Sequence, residues 1–155
     1  MALSKNSQRV QQALEQHGLG LEVVELDAST RTAQEAAQAV GCELGQIVKS
    51  LVFRSGKNAL LFLVSGSNQL NIARVSAYLG IPIEKADADF ARQASGYPIG
   101  GVPPLAHDVP LQTYIDQSLL DYEFVWAAAG TPHSVFKLES RLLQMLTGGL
   151  IIEVT

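Results

Sequence analysis

"GQIVKSLVFRSGKNALLFLVS", residues 45–65, decides how this chain reads. Two apolar runs, 46–54 and 59–65, flank "SGKN". Apolar runs rich in β-branched residues, separated by a short polar stretch with glycine, predict a hairpin, here with a four-residue loop. Strand alternation puts Ile47, Lys49, Leu51 and Phe53 on one face and Val48, Ser50 and Val52 on the other. Both faces are mainly apolar, which predicts a central strand. Lys49 is the exception. An amine among apolar neighbours must snorkel, pair or lose its charge. On the residues alone two readings stay open: a lysine snorkelling at a sheet end, and a lysine that meets a ligand in a pocket.

Upstream of the hairpin, Val10 and Leu14 share a helical face with Ser7 and Ala13 nearby, and "HGLG" ends that helix. Residues 21–26, "LEVVEL", read as a strand. "TRTAQEAAQAVG" follows, where Thr32-x-x-Glu35 fits a capping box, alanines suit close packing, and Gly41 is a stop. Downstream, 68–80 reads as a helix with Leu70, Ala73, Ala77 and Tyr78 at helical spacing, and 84–96 as another. Residues 97–110, rich in Gly and Pro, read as loop. A strand is expected at 122–128, then a helix in "SRLLQMLTGG" ended by Gly148-Gly149, and a final strand at 150–155. Five or more strands interspersed with four or five helices predict a mixed α/β or α+β domain. The pattern does not give the strand order.

The 155 residues suffice for one domain with a sizeable core, and 47% hydrophobic with 17% charged residues predicts a compact chain rather than a disordered one. A formal net charge of -4 excludes broad, sequence-blind coating of a nucleic-acid duplex. It leaves room for a local basic site that grips one phosphate or one nucleic-acid end. Cys42 is the only cysteine, so no intramolecular disulfide can form, which fits a reducing compartment. There is no CxxC or His/Cys cluster with zinc spacing, and no metal or other cofactor is expected. The polar opening "MALSKNSQRVQQALEQHG" lacks the apolar core of a signal peptide, and no stretch of about 18 apolar residues could span a bilayer. A cytoplasmic protein without a membrane partner is expected.

Two further stretches can carry chemistry. In "GYPIGGVPPLAH", 96–107, Gly100-Gly101 permits torsions and close approach closed to other residues, and Pro98, Pro103 and Pro104 stiffen the flanks. Such a loop can present fixed amides to an anion or a carbonyl oxygen, although it lacks the strand–loop–helix setting of a dinucleotide or P-loop motif. In "AAAGTPHSVFKL", 127–138, small residues lead into Gly130 and then His133, which can donate or accept near neutral pH. His17 and His107 have weaker cases. No Ser/His/Asp order or carboxylate pair points to a hydrolytic triad or dyad.

A strand lysine after a "TAQEAAQAVG" helix, then "GYPIGGVPPLAH", then "AAAGTPHSVFKL" resembles the YbaK/ProX family, related to the editing (INS) domain of bacterial prolyl-tRNA synthetases. The resemblance runs from about residue 5 to 155. It implies a mixed, barrel-like sheet flanked by helices, with a pocket for the aminoacylated end of a tRNA, and hydrolysis in trans of the ester in mischarged aminoacyl-tRNA. Small amino acids such as alanine, cysteine or serine are the implied substrates, with a proline tRNA as one carrier and an aminoacyl-tRNA synthetase as a further partner. By the resemblance Lys49, Gly100 and Gly101 are catalytic, and Thr32, Ser50, Pro103, Gly130 and His133 contact substrate. The sequence departs from the family at "GGVPPLAH": YbaK-like members carry serine or threonine before the proline, and Val102 removes that hydroxyl.

The implied role for Lys49 is to meet an anion brought by the substrate, the last internucleotide phosphate of a tRNA. An aminoacyl ester is already activated towards water. What remains is to hold it, offer donors to the developing oxyanion and place a water, so no side-chain base is required. The amides of Gly100 and Gly101 are the expected donors. With the loop read as surface, Gly101→Ala is expected to depress turnover more than stability. Two alternatives remain: a module that captures a tRNA end or aminoacyl-nucleotide without turnover, and Schiff-base chemistry at Lys49.

Overall fold

The computed structural model describes residues 3–155. Helix α1 (Lys5–Gln16) starts behind Ser4, whose hydroxyl accepts from the Ser7 N–H, and buries Val10 and Leu14. Strand β1 (Val23–Glu25) leads to helix α2 (Ala33–Val40), which turns Ala36 and Ala37 inward and ends at Gly41. The hairpin follows as β2 (Ile47–Ser55) and β3 (Asn58–Ser65), paired from Val48↔Ser65 to Ser55↔Asn58. Ser55 and Asn58 join the ladder, so the expected four-residue loop tightens to Gly56-Lys57. Gly56 supplies the positive φ of 61° that a two-residue turn demands.

Helix α3 (Ile72–Leu79) is capped by the Asn71 side chain, which accepts from the Arg74 N–H. Its buried face is Val75 with Ile72 and Leu79 beside it, while Tyr78 is 71% exposed, so the expected Leu70/Ala73/Ala77/Tyr78 face is rotated. Glu84 and Lys85, expected to be helical, form a short strand β4 against Phe53 and Arg54. Helix α4 (Ala88–Ser95) begins only behind the Asp87 cap. Strand β5 (Gln112–Asp116) and strand β7 (Ser134–Glu139) fall in segments whose pattern gave no strand. β6 (Phe124–Ala128) lies inside the expected 122–128, helix α5 (Leu143–Thr147) ends at Gly148, and β8 (Leu150–Ile152) is shorter than expected.

The strands form one mixed sheet in the order β1-β7-β6-β2-β3-β5-β8, with β4 also on β2. The β2–β6, β3–β5 and β5–β8 pairs are parallel and the rest antiparallel. β2 is thus central, as its two apolar faces require. Val48, Val52, Leu61, Leu63 and Ile115 pack on one face under α1, α4 and the Gly/Pro loop. Phe53, Phe62, Val64 and Tyr114 pack on the other under α3. Phe62 lies edge-on to Phe53 at 5.4 Å and stacked on Tyr114 at 5.0 Å. No described helix is long and apolar enough to cross a membrane.

One detail of the pairing creates the site. β6 pairs with β2 only at Ile47 and Val48, and β4 joins the same edge only at Phe53 and Arg54. The edge between them is open. Gly66 donates its N–H to the Ile47 carbonyl, so Ile47, Lys49 and Leu51 direct their backbone groups towards β3. Alternation then turns the N–H and C=O of Ser50 to the open edge.

Candidate active site

A cavity of about 650 Å³ fills that opening. Its walls are β2, the end of β6, the Thr30–Ala33 segment with Ala36, Lys85-Ala86, and Ile99, Gly100 and Val102 of the Gly/Pro loop. The charged residues in the lining are Arg31, Lys49 and Lys85; no Asp or Glu is among them. None of the three cations has an ion-pair partner among the described residues. In a chain of net charge -4 this concentrates positive potential at one opening, an arrangement that draws in anions.

Lys49 is half-buried, and its ammonium donates to the Asn68 carbonyl at 2.5 Å. The Asn68 side chain in turn donates to Asp116 Oδ2 at 3.0 Å. Asp116 is only 1% exposed and also accepts from the Ser65 and Ser118 N–H groups, each at 3.0 Å. One buried carboxylate therefore ties the end of β3, the loop after it and the turn after β5 together, and fixes the carbonyl that aims Lys49. Burial lowers the Lys49 pKa from the usual amine value, and the Asp116 charge opposes that shift. The ammonium form is thus lost at a lower pH than in a free lysine. Asp116→Asn removes the opposing charge and at least one acceptor. It is expected to cost about 1–3 kcal/mol of stability and to move the alkaline limit of any Lys49-dependent activity to lower pH; denaturant unfolding and a pH–rate profile check both.

The Gly/Pro loop is built on a turn in which Gly101 donates its N–H to the Pro98 carbonyl at 3.0 Å. Gly100, with φ 86°, occupies the turn position that favours glycine. It lines the cavity against Arg31: a Cβ at Gly100 would lie 2.9 Å from Arg31 Cγ. The N–H groups of Gly100 and Val102, both lining residues, have no hydrogen-bond partner among the described residues. The expectation for Gly101 is corrected here. Its amide is consumed by the turn, it does not line the cavity, and it is buried against the neighbouring loop, accepting from the Gly130 N–H at 2.8 Å.

Residues 27–146 match the family model of the aminoacyl-tRNA editing domain. The chain belongs to that family. A solved structure proposed to be a trans-editing enzyme for prolyl tRNA synthetase is 51% identical, with a TM-score of 0.93 and 99% of each chain covered. EbsC of Enterococcus faecalis, proposed to be a Cys-tRNA(Pro)/Cys-tRNA(Cys) deacylase, is 24% identical over 126 residues, 80% of this chain and 77% of its own. The proline–tRNA ligase of Thermosipho melanesiensis is 36% identical over 78 residues, 50% of this chain; the chain spans 14% of that ligase's length.

In this editing domain the cavity brings together Lys49, Ser50, Gly100 and Thr32. It does not gather Pro103, Gly130 or His133, which lie outside its lining. Pro103 is buried, and its carbonyl meets His107 Nε2 at 2.8 Å. Gly130, with φ 102°, is wedged against α1, where a Cβ would lie 2.9 Å from the Asn6 backbone. His133 is exposed; its ring faces the Ala28 carbonyl at 3.2 Å and its own carbonyl accepts from the Leu26 N–H. These residues frame the loop that carries Thr30 and Arg31. The Thr32 hydroxyl is committed to its helix: it accepts from the Glu35 N–H at 3.1 Å and donates to Glu35 Oε1 at 3.0 Å. The glutamate thus answers the hydroxyl rather than the backbone. Thr30, Arg31, Lys85, Asn68 and Asp116 are the residues that sequence reasoning missed. Only Asp116 left a trace, an acid closing the apolar "TYI".

Proposed function

We propose that this protein hydrolyses the ester of mischarged aminoacyl-tRNA in trans. The observation that carries the proposal is the cavity itself: three unpaired cations, no carboxylate, and free amides of Gly100 and Val102 in its wall. The Lys49 ammonium, steadied by the Asn68 carbonyl, keeps two N–H donors for the terminal phosphodiester of the tRNA. Free amides at the wall serve the developing oxyanion. The Ser50 carbonyl at the open edge is an acceptor able to hold the attacking water, with a substrate hydroxyl as the other. Ala36, Ala127 and Ala128 among the lining residues fit a small amino acid such as alanine, cysteine or serine. A proline tRNA as carrier, an aminoacyl-tRNA synthetase as partner and a cytoplasmic setting follow from the same reading.

One observation favours a second reading, capture of a tRNA end without turnover: no carboxylate or imidazole lines the cavity. Counting product per protein separates the two. Many ester bonds cleaved per molecule supports hydrolysis, whereas retention of intact aminoacyl-tRNA at one per protein supports capture.

The three cations also set the salt dependence. At roughly 0.7–0.9 per phosphate contact, the slope of log affinity against log salt is expected at about -2 to -3. A filter-binding titration giving a slope near -8 would show an extensive basic surface instead.

A further inference from the structure

The outer face of β6 and β7 carries two aromatic rings and a lysine. Strand alternation sets Phe124, Trp126 and Ala128 on one side of β6, and the ladder pairs Trp126 with Lys137 and Ala128 with Val135 of β7. The Lys137 Nζ lies 4.7 Å from the centre of the Phe124 ring and 6.0 Å from that of Trp126, so the ammonium and both rings converge. Lys137 is exposed, and the two rings are half-buried, so each keeps surface open to solvent. No carboxylate among the described residues pairs with Lys137; Glu139, two residues along β7, is bonded to Arg141 at 2.6 Å.

This strip leads away from the cavity. Trp126, Ala128 and Val135 are in the cavity lining. Phe124 and Lys137 line a second hollow of about 330 Å³, together with Leu19, Leu21 and the Glu139–Arg141 pair. Trp126 and Phe124 are two residues apart on one strand, about 6.6 Å. The cavity is thus continued along the sheet by two rings in a row with a cation over both.

The ester of an aminoacyl-tRNA sits on the last nucleotide of a single strand, so the nucleotides before it must leave the cavity across its rim. Aromatic rings that accept base faces, beside a cation that meets the backbone, bind single-stranded RNA without reading its sequence. Lys137 is held by ring faces rather than by an anion. A phosphate can therefore engage it without breaking an ion pair, and its movement bares the rings to bases.

Resting on the deacylase reading, we propose that the Trp126–Lys137–Phe124 strip binds the single-stranded 3′ end of the tRNA just before the esterified nucleotide, with bases on the two rings and a backbone phosphate at Lys137. The cavity holds the ester, and the strip sets the path by which the strand reaches it.

Trp126 is the only tryptophan of the chain, so its fluorescence reports on the strip directly. The test titrates the uncharged tetranucleotide ACCA, and adenosine monophosphate beside it, into the wild type, Lys137→Ala and Phe124→Leu. ACCA is expected to quench Trp126 and to bind the wild type about tenfold more tightly than the mononucleotide. Each variant is expected to lose about five- to tenfold in affinity for ACCA and less than about twofold for the mononucleotide. Lys137 should add about 0.7 to the magnitude of the salt slope set by the three cavity cations. In deacylation, both variants should raise KM for alanyl-tRNA by about the same factor, with a smaller change in kcat.

Equal affinity of the wild type for ACCA and the mononucleotide overturns the inference alone, as do variants that bind ACCA as tightly as the wild type. A Lys137→Ala protein with a lowered Tm and a wild-type KM shows a lysine that only packs, and overturns it too. Quenching by ACCA with the expected losses in the variants, but no hydrolysis of any ester, overturns the deacylase reading and leaves the strip as a binding surface for an RNA end.

Discussion

Lys49→Ala is expected to slow single-turnover deacylation about ten- to hundredfold while leaving the fold intact. The rate effect follows from the chemistry of one contact. A charge-assisted hydrogen bond to phosphate contributes roughly 1.5–3 kcal/mol, and each 1.4 kcal/mol is a decade in rate. The stability effect is small because the ammonium is already half-desolvated, with a lowered pKa, and its partner is a single carbonyl in a loop that Asp116 holds independently. Lys49→Met separates charge from packing by keeping a long apolar stem. Both variants should melt near the wild type and share the loss of rate. A folded Lys49→Met enzyme with near wild-type turnover would remove Lys49 from the mechanism.

Gly101→Ala should lower stability and activity together. A Cβ there would lie 2.8 Å from the N and Cα of Thr131 and 2.9 Å from the carbonyl carbon of Gly130. These are backbone atoms and cannot rotate aside. The two loops must part, straining the hydrogen bond from the Gly130 N–H to the Gly101 carbonyl. Overpacking of this kind costs about 1–3 kcal/mol, or roughly 2–12 °C in Tm for a chain of this size. Gly100→Ala differs. Its Cβ meets Arg31 at the cavity wall, 2.9 Å from Cγ and 3.1 Å from Cα, and the strain of a positive φ is about 1–2 kcal/mol. Its rate should fall further than its Tm explains, because the free amide beside the ester is displaced. Melting temperatures and single-turnover rates on the same preparations distinguish the two glycines. A Gly101→Ala protein with unchanged Tm and a collapsed rate would return the donor role to Gly101.

The hairpin and the central place of β2 were legible because "IVKSLVF" is a short run that is mainly apolar on both strand faces. Lys49 was legible for the same reason, as the one amine in an apolar pattern. The caps at Thr32 and Gly41 are local and also read correctly in outline. What failed to show is long-range. β5 gains its strand character from β3 and β8, both far away in sequence, and β7 is held between its sequence neighbour β6 and the distant β1. Gly100 and Gly101 look alike in sequence, yet only tertiary packing sends one to the cavity and the other against Thr131. Thr30 and Arg31 lie in a polar connection where hydroxyls and charges are ordinary. Burial under the 131–133 turn is what makes Thr30 unusual, and nothing local encodes it.

The most direct measurement is multiple-turnover hydrolysis of alanyl-, cysteinyl- and seryl-tRNA for proline, run beside correctly charged prolyl-tRNA. The predicted result is clearance of at least one small mischarged ester with many turnovers per protein, while prolyl-tRNA is spared. Unchanged half-lives for all of the mischarged esters, or loss of prolyl-tRNA at the same rate, would contradict the assignment of this cavity as a trans-editing site.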